Sequence, residues 1–141
     1  MISQRDAFFS RIYELAKVDR NIIIISADMG APTLDCIREE LPDQFINVGI
    51  AEQNMITLAA GLALSGKHVF CYAIAPFITI RCLDQIRVCC GQMDLPIVLV
   101  GVGAGLSYKD SGPTHHAIED MAIMRAIPGL TIYNVRDAAM A

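Results

Sequence analysis

The sequence predicts an α/β domain built as a three-layer sandwich, a mainly parallel sheet of about five strands covered by helices on both faces. Three observations predict it. Short apolar runs rich in β-branched residues recur along the chain, at Asn21–Ser26, Phe45–Val48, His68–Ala73, Pro96–Val102 and Leu130–Val135. The run Ile22-Ile-Ile-Ile25 shows no polar alternation, the pattern of a strand buried on both faces and therefore of a parallel sheet under helices. Helix-length segments fill most of the gaps between these runs. The 141 residues suffice for one domain with a single core and nearly exclude two.

In chain order, Ala7, Phe8, Ile12, Leu15 and Ala16 give the first 17 residues the spacing of an amphipathic helix, with Ser3 as its N-cap. Further helices are predicted over Pro32–Glu40, Glu52–Ser65, Phe77–Gln92 and Thr114–Ala126, with Gly66 and Gly91 near two of the C-terminal ends. The segment Glu52–Ser65 is apolar on almost every side and holds Ala59, Ala60, Gly61 and Ala63, so it is expected to be buried, in part against another subunit. Residues Asn134–Ala141 read as the start of a further helix, and the chain is expected to be a fragment of a longer one.

Composition narrows the function. Hydrophobic residues make up 54% of the chain and charged residues 18%, and the mean hydropathy is +0.45. That balance excludes disorder and suggests apolar surface that meets another chain. Eleven basic against fifteen acidic residues leave a net charge of −4 with no basic cluster, which disfavours nucleic acid or an anionic membrane as partner. The apolar runs Met55–Leu64 and Ile97–Val102 are short of the roughly 18 to 20 residues that cross a bilayer. Cys36, Cys71, Cys82, Cys89 and Cys90 form no C-x-x-C pair and no metal-ligand spacing. With no signal peptide in view, a reduced, cytoplasmic protein is expected.

Two segments gather glycine, carboxylate and imidazole at expected strand ends. In the first, Phe45–Met55, Glu52 sits where a strand turns into an apolar helix; burial and the helix N-terminus act on its charge in opposite directions, and a first-turn acid is also common for structural reasons alone. In the second, Gly101, Gly103 and Gly105 resemble half of a dinucleotide fingerprint, but no helix opens after them, and without it the motif loses its anion site. Thr114 as an N-cap would set His115 and His116 in a first helical turn whose dipole opposes imidazolium, which suits hydrogen bonding to a substrate oxygen. Capping or packing histidines are the alternative, and adjacent histidines point apart, so one metal does not take both.

Three motifs then fall in a recognisable order. Gly49-Ile-Ala-Glu-Gln-Asn-Met55, Arg81-Cys-Leu-Asp-Gln-Ile-Arg87 and Gly112-Pro-Thr-His-His-Ala-Ile-Glu-Asp120 together resemble the pyrimidine-binding domain of the transketolase family, which includes deoxyxylulose-phosphate synthase. The resemblance runs from Ala27-Asp28 to Arg136-Asp137 and covers 1–141 as one such domain.

It implies an enzyme dependent on thiamine diphosphate, with the cofactor held between two domains. Glu52 matches the glutamate that hydrogen-bonds a ring nitrogen of the aminopyrimidine; a shared proton there favours the tautomer that activates the thiazolium carbon. Phe77 is the candidate aromatic on the pyrimidine, with a plain core residue as the alternative. His115 matches the histidine of G-P-T-H near donor oxygens, where it would stabilise oxyanion or hydroxyl groups, and His116 is its neighbour at the substrate. Arg81 falls where some relatives place an arginine that reaches a substrate phosphate, though it would serve equally as an ion-pair partner.

Two positions depart from the family. Ser111 stands where many relatives have an acid before G-P-T-H, and Gly103 stands where the sugar transketolases have a histidine, so standard sugar-phosphate specificity is not expected. The G-D-G motif of the diphosphate-binding domain is absent from the sequence. The chain is therefore expected to hold the pyrimidine half of the cofactor only, with Mg²⁺ held by a separate diphosphate-binding subunit. A homodimer or α₂β₂ assembly transferring a two-carbon ketol unit from a ketose or 2-oxo donor would follow. The alternatives are a noncatalytic assembly or regulatory module of the same fold and a nicotinamide-dependent oxidoreductase.

Overall fold

A computed structural model describes residues 2–141. The chain opens with α1, Gln4–Val18, whose Ser3 cap accepts the Asp6 N–H at 3.0 Å. Four strands follow in the sheet: β1 (Ile22–Ser26), β2 (Phe45–Asn47), β3 (His68–Ile74) and β4 (Ile97–Val102). They lie in the order β2-β1-β3-β4, and every pair is parallel. The uninterrupted isoleucines place β1 in the middle, and all five of its residues are buried.

Alternation along β1 divides the core. Ile22 and Ile24, with Tyr72 of β3, pack against Phe9 and Ile12 of α1 and against Leu34 and Ile37 of α2, Pro32–Glu40. Ile23 and Ile25, with Val69, Cys71 and Ala73, face α3, Glu52–Leu64, through Met55, Ile56, Ala59 and Ala60. Helices thus cover both faces, as the three-layer pattern requires.

Three sequence expectations change. The helix over Phe77–Gln92 is broken into α4 (Ala75–Ile78), a 3₁₀ turn (Ile80–Cys82), α5 (Leu83–Ile86) and a π-helical stretch (Arg87–Gln92). At the first break the Thr79 hydroxyl donates to the Ala75 carbonyl at 2.6 Å, a side-chain bond to the preceding turn that bends helices. At the last, a Cβ on Gly91 would come within 2.7 Å of Ile127 Cγ2, so the glycine lets the widened turn pass under that side chain. The helix over Thr114–Ala126 shrinks to α6, Asp120–Met124, because Ala117 forms an antiparallel bridge with Gly105 and is held extended. The stretch Leu130–Val135 is no fifth strand: Leu130 and Ile132 pack on the core while Thr131 and Tyr133 are exposed, an alternation without a ladder. Within this chain α3 is buried along one stripe, which leaves its other face to the expected subunit contact. Gln53, Asn54, Thr57, Leu58, Gly61 and Leu64 face outward.

Near the end, Asp137 Oδ1 accepts the N–H groups of Ala139 and Met140 at 3.2 and 3.0 Å, the bonding of a helix N-cap in the place where a helix start is expected.

Candidate active site

The chemistry-bearing side chains gather beyond the carboxyl ends of the strands, the usual ligand edge of a parallel sheet. α3 follows β2 with Glu52 as its first residue, α4 follows β3 directly and carries Phe77, and the loop after β4 leads to His115. Asn47, at the end of β2, fixes the approach to Glu52. Its side-chain oxygen accepts the N–H groups of Asp28 and Gly49 at 3.1 and 2.9 Å, and its amide donates to Asp28 Oδ1 at 3.1 Å. Asp28 has φ +56° and Gly49 φ +71°, so both turns lie in the left-handed region and the amide clamp holds them there.

Among the described residues Glu52 is the one carboxylate in the core, its side chain 4% exposed. Arg81 Nη1 donates to Glu52 Oε2 at 2.8 Å, while the arginine side chain remains 42% exposed. The same guanidinium lies 4.0 Å from the centroid of the Phe77 ring, within cation–π range. The Phe77 ring in turn meets the His115 ring edge to face at 5.0 Å. Four residues expected at the site, Glu52, Arg81, Phe77 and His115, therefore form one unbroken chain of contacts.

Cys82 lines the same corner and donates its thiol to the Phe77 carbonyl at 3.2 Å. Burial, then the negative charge of Glu52, pushes the thiol up to about 12. It remains a protonated packing group rather than a nucleophile. Burial likewise raises Cys71, Cys89 and Cys90.

The histidine pair differs from expectation in its backbone. Thr114 caps no helix; Pro113–His115 is a single 3₁₀ turn and His116 is extended, with φ −78° and ψ 140°. No α-helix therefore begins at either imidazole. Thr114 Oγ1 instead lies 3.1 Å from His115 Nδ1, which orients the ring. The buried Nε2 of His116 has no hydrogen-bond partner in the protein, and the contacts that link the other four residues do not include it.

Three further residues shape the site. Gln53 Nε2 donates to the Arg81 carbonyl at 3.0 Å, tying the start of α3 to the 3₁₀ turn. Tyr108 stands 6.3 Å from His115, ring to ring, and a Cβ on Gly103, whose φ is +82°, would overlap the Tyr108 ring. Asn47 is the third. An aromatic residue opposite a glycine in a glycine-rich loop is the available signal for Tyr108; Gln53 lies inside the motif Gly49–Met55, and nothing local marks Asn47. Among the described residues no group of three or more His, Cys, Asp or Glu side chains could hold a metal ion. No helix among them is long and apolar enough to cross a membrane.

Comparison with known proteins identifies the family. Residues 1–141 match the family described as the transketolase pyrimidine-binding domain. The chain is 39% identical over 139 residues to one of the subunits of an apulose-4-phosphate transketolase from Phocaeicola vulgatus, covering 98% of this chain and 45% of that protein. It is 42% identical over 137 residues to a 1-deoxy-D-xylulose-5-phosphate synthase of Nitratidesulfovibrio vulgaris, covering 95% and 21%. A solved split gene transketolase, an inactive β4 tetramer, superposes with a TM-score of 0.85 at 33% identity, over 99% of this chain and 45% of the other. The chain belongs to the transketolase pyrimidine-binding domain family. It spans less than half the length of these relatives.

Proposed function

We propose that this chain supplies the pyrimidine half of a thiamine diphosphate site in a transketolase-like enzyme that transfers a two-carbon ketol unit. A separate diphosphate-binding subunit completes the site and holds Mg²⁺. The observation that carries the reading is the nearly buried Glu52 carboxylate beside the Phe77 ring, with a flat N–H donor lying on that ring against it. A carboxylate and an aromatic face so disposed fit a flat heterocycle with a ring nitrogen. The name of the Phocaeicola relative, a transketolase subunit, and the split gene of the solved neighbour support a two-chain enzyme.

When bound, thiamine diphosphate supplies the nucleophilic carbon for making and breaking bonds beside a carbonyl. Glu52 would hold a proton between its carboxylate and the pyrimidine ring nitrogen, in a corner where burial strengthens that bond. Phe77 would present its face to the ring and set the ring's height above the sheet edge. His115, fixed by Thr114 and Phe77, would direct a ring nitrogen at donor oxygens and stabilise charge that develops there. Arg81 would offer its fork of N–H donors to an anionic substrate group.

Calorimetry with thiamine diphosphate and Mg²⁺ tests the reading. The chain alone is expected to bind weakly or not at all, and addition of the diphosphate-binding subunit to restore binding. A submicromolar dissociation constant for the lone chain would contradict the split site.

A further inference from the structure

We propose that the Arg81 guanidinium is a placeholder for the cofactor's pyrimidine ring, occupying its slot in the free chain and leaving when the cofactor enters. The inference rests on the function proposed above.

The slot is defined by two surfaces, the face of Phe77 and the carboxylate of Glu52. The guanidinium lies 4.0 Å from the first and 2.8 Å from the second. It is planar, carries N–H donors along its edge and is cationic. A protonated aminopyrimidine has the same three properties. A pyrimidine that used the same face of Phe77 and the same Glu52 oxygen could not share them with the guanidinium, so in that pose the pair Arg81–Glu52 and the pair pyrimidine–Glu52 exclude each other.

Burial explains why a placeholder is needed. Glu52 is 4% exposed, and a carboxylate left without a partner at that depth is strongly destabilising. Arg81 satisfies it in the free chain. The exchange asks little of the backbone, because the Arg81 carbonyl is already fixed by Gln53 Nε2 at 3.0 Å and its side chain is 42% exposed. A rotation about side-chain torsions moves the guanidinium toward solvent. One guanidinium cannot serve Glu52 and a substrate anion at once, so any contact of Arg81 with substrate follows this release.

The test is thiamine diphosphate affinity, by calorimetry with Mg²⁺, in the chain assembled with the diphosphate-binding subunit. Arg81→Met keeps a long apolar stem but removes the competing donor, and is expected to tighten binding about three- to tenfold, the range of an ion pair with one exposed partner. Arg81→Lys, which pairs with a carboxylate but does not lie flat on a ring, should shift affinity in the same direction by less, and stands in if the Met variant fails to fold. In the wild type, ¹⁵N signals of the Arg81 guanidinium should change exchange rate on cofactor binding. Cofactor binding in the wild type with unchanged or weaker binding in both variants would overturn the placeholder alone. No cofactor binding by the wild-type assembly would overturn the proposed function and the placeholder with it.

Discussion

The rings of Phe77 and His115 meet edge to face, 5.0 Å between centroids and 69° between planes. One ring comes from the helix that follows β3 and the other from the loop that follows β4, so the contact joins the proposed cofactor side of the site to the proposed substrate side. It also separates their roles. Phe77 touches the guanidinium that holds Glu52, whereas His115 reaches Glu52 through Phe77 and then Arg81.

His115→Ala is therefore expected to leave cofactor binding and activation in place and to impair the later carbon–carbon step. Loss of one positioned hydrogen-bond donor in such a site costs about 10²- to 10³-fold in kcat. Steady-state kinetics on the assembled enzyme, paired with exchange of the cofactor's thiazolium proton, checks it. Equal losses in both measurements would count against the division of labour.

Gly103→Ala should loosen the substrate side from a distance. A Cβ there would overlap the Tyr108 ring, and the backbone has φ +82°, so both space and conformation oppose the methyl group. A loss of about 1–3 kcal/mol of stability is expected, read as a lower denaturant midpoint. Tyr108 packs beside His115, so the His115 ring resonances should shift as well. A midpoint unchanged from wild type would contradict both the backbone strain and the Tyr108 overlap assigned to this position.

How far the sequence reveals this arrangement differs from element to element. The isoleucines of β1 announce a doubly covered strand because burial on both faces removes every polar position. Pro32–Glu40 is predicted with the same limits the structure has, since proline marks its first turn. The broken helix after β3 is another matter: Pro76, Thr79 and Gly91 are compatible with a helix locally, and the breaks come from the pressure of Ile127 and from a hydroxyl turned onto its own backbone. Leu130–Val135 has strand composition but lacks a partner edge, which composition does not report. At the site, Glu52, Arg81 and His115 are each marked by residue type and motif and Phe77 by residue type alone, while their contact depends on three different strand ends meeting. Asn47 acts through side-chain bonds to Asp28 and Gly49 and carries no periodic or motif signal, while Gln53 lies inside the Gly49–Met55 motif but its bond to the Arg81 carbonyl has no signal there.

Glu52 bears the central claim most directly. In the assembly with the diphosphate-binding subunit, Glu52→Gln keeps the size of the side chain and a hydrogen bond but removes the proton donor. Folding and assembly should be unchanged by circular dichroism and sedimentation. The deciding measurement is exchange of the thiazolium proton of bound thiamine diphosphate, followed by NMR. A fall of about 10²- to 10⁴-fold against wild type is expected, the usual cost of one general acid–base contact. Wild-type exchange in Glu52→Gln, with cofactor bound, would contradict the assignment of Glu52 as the group that activates the cofactor.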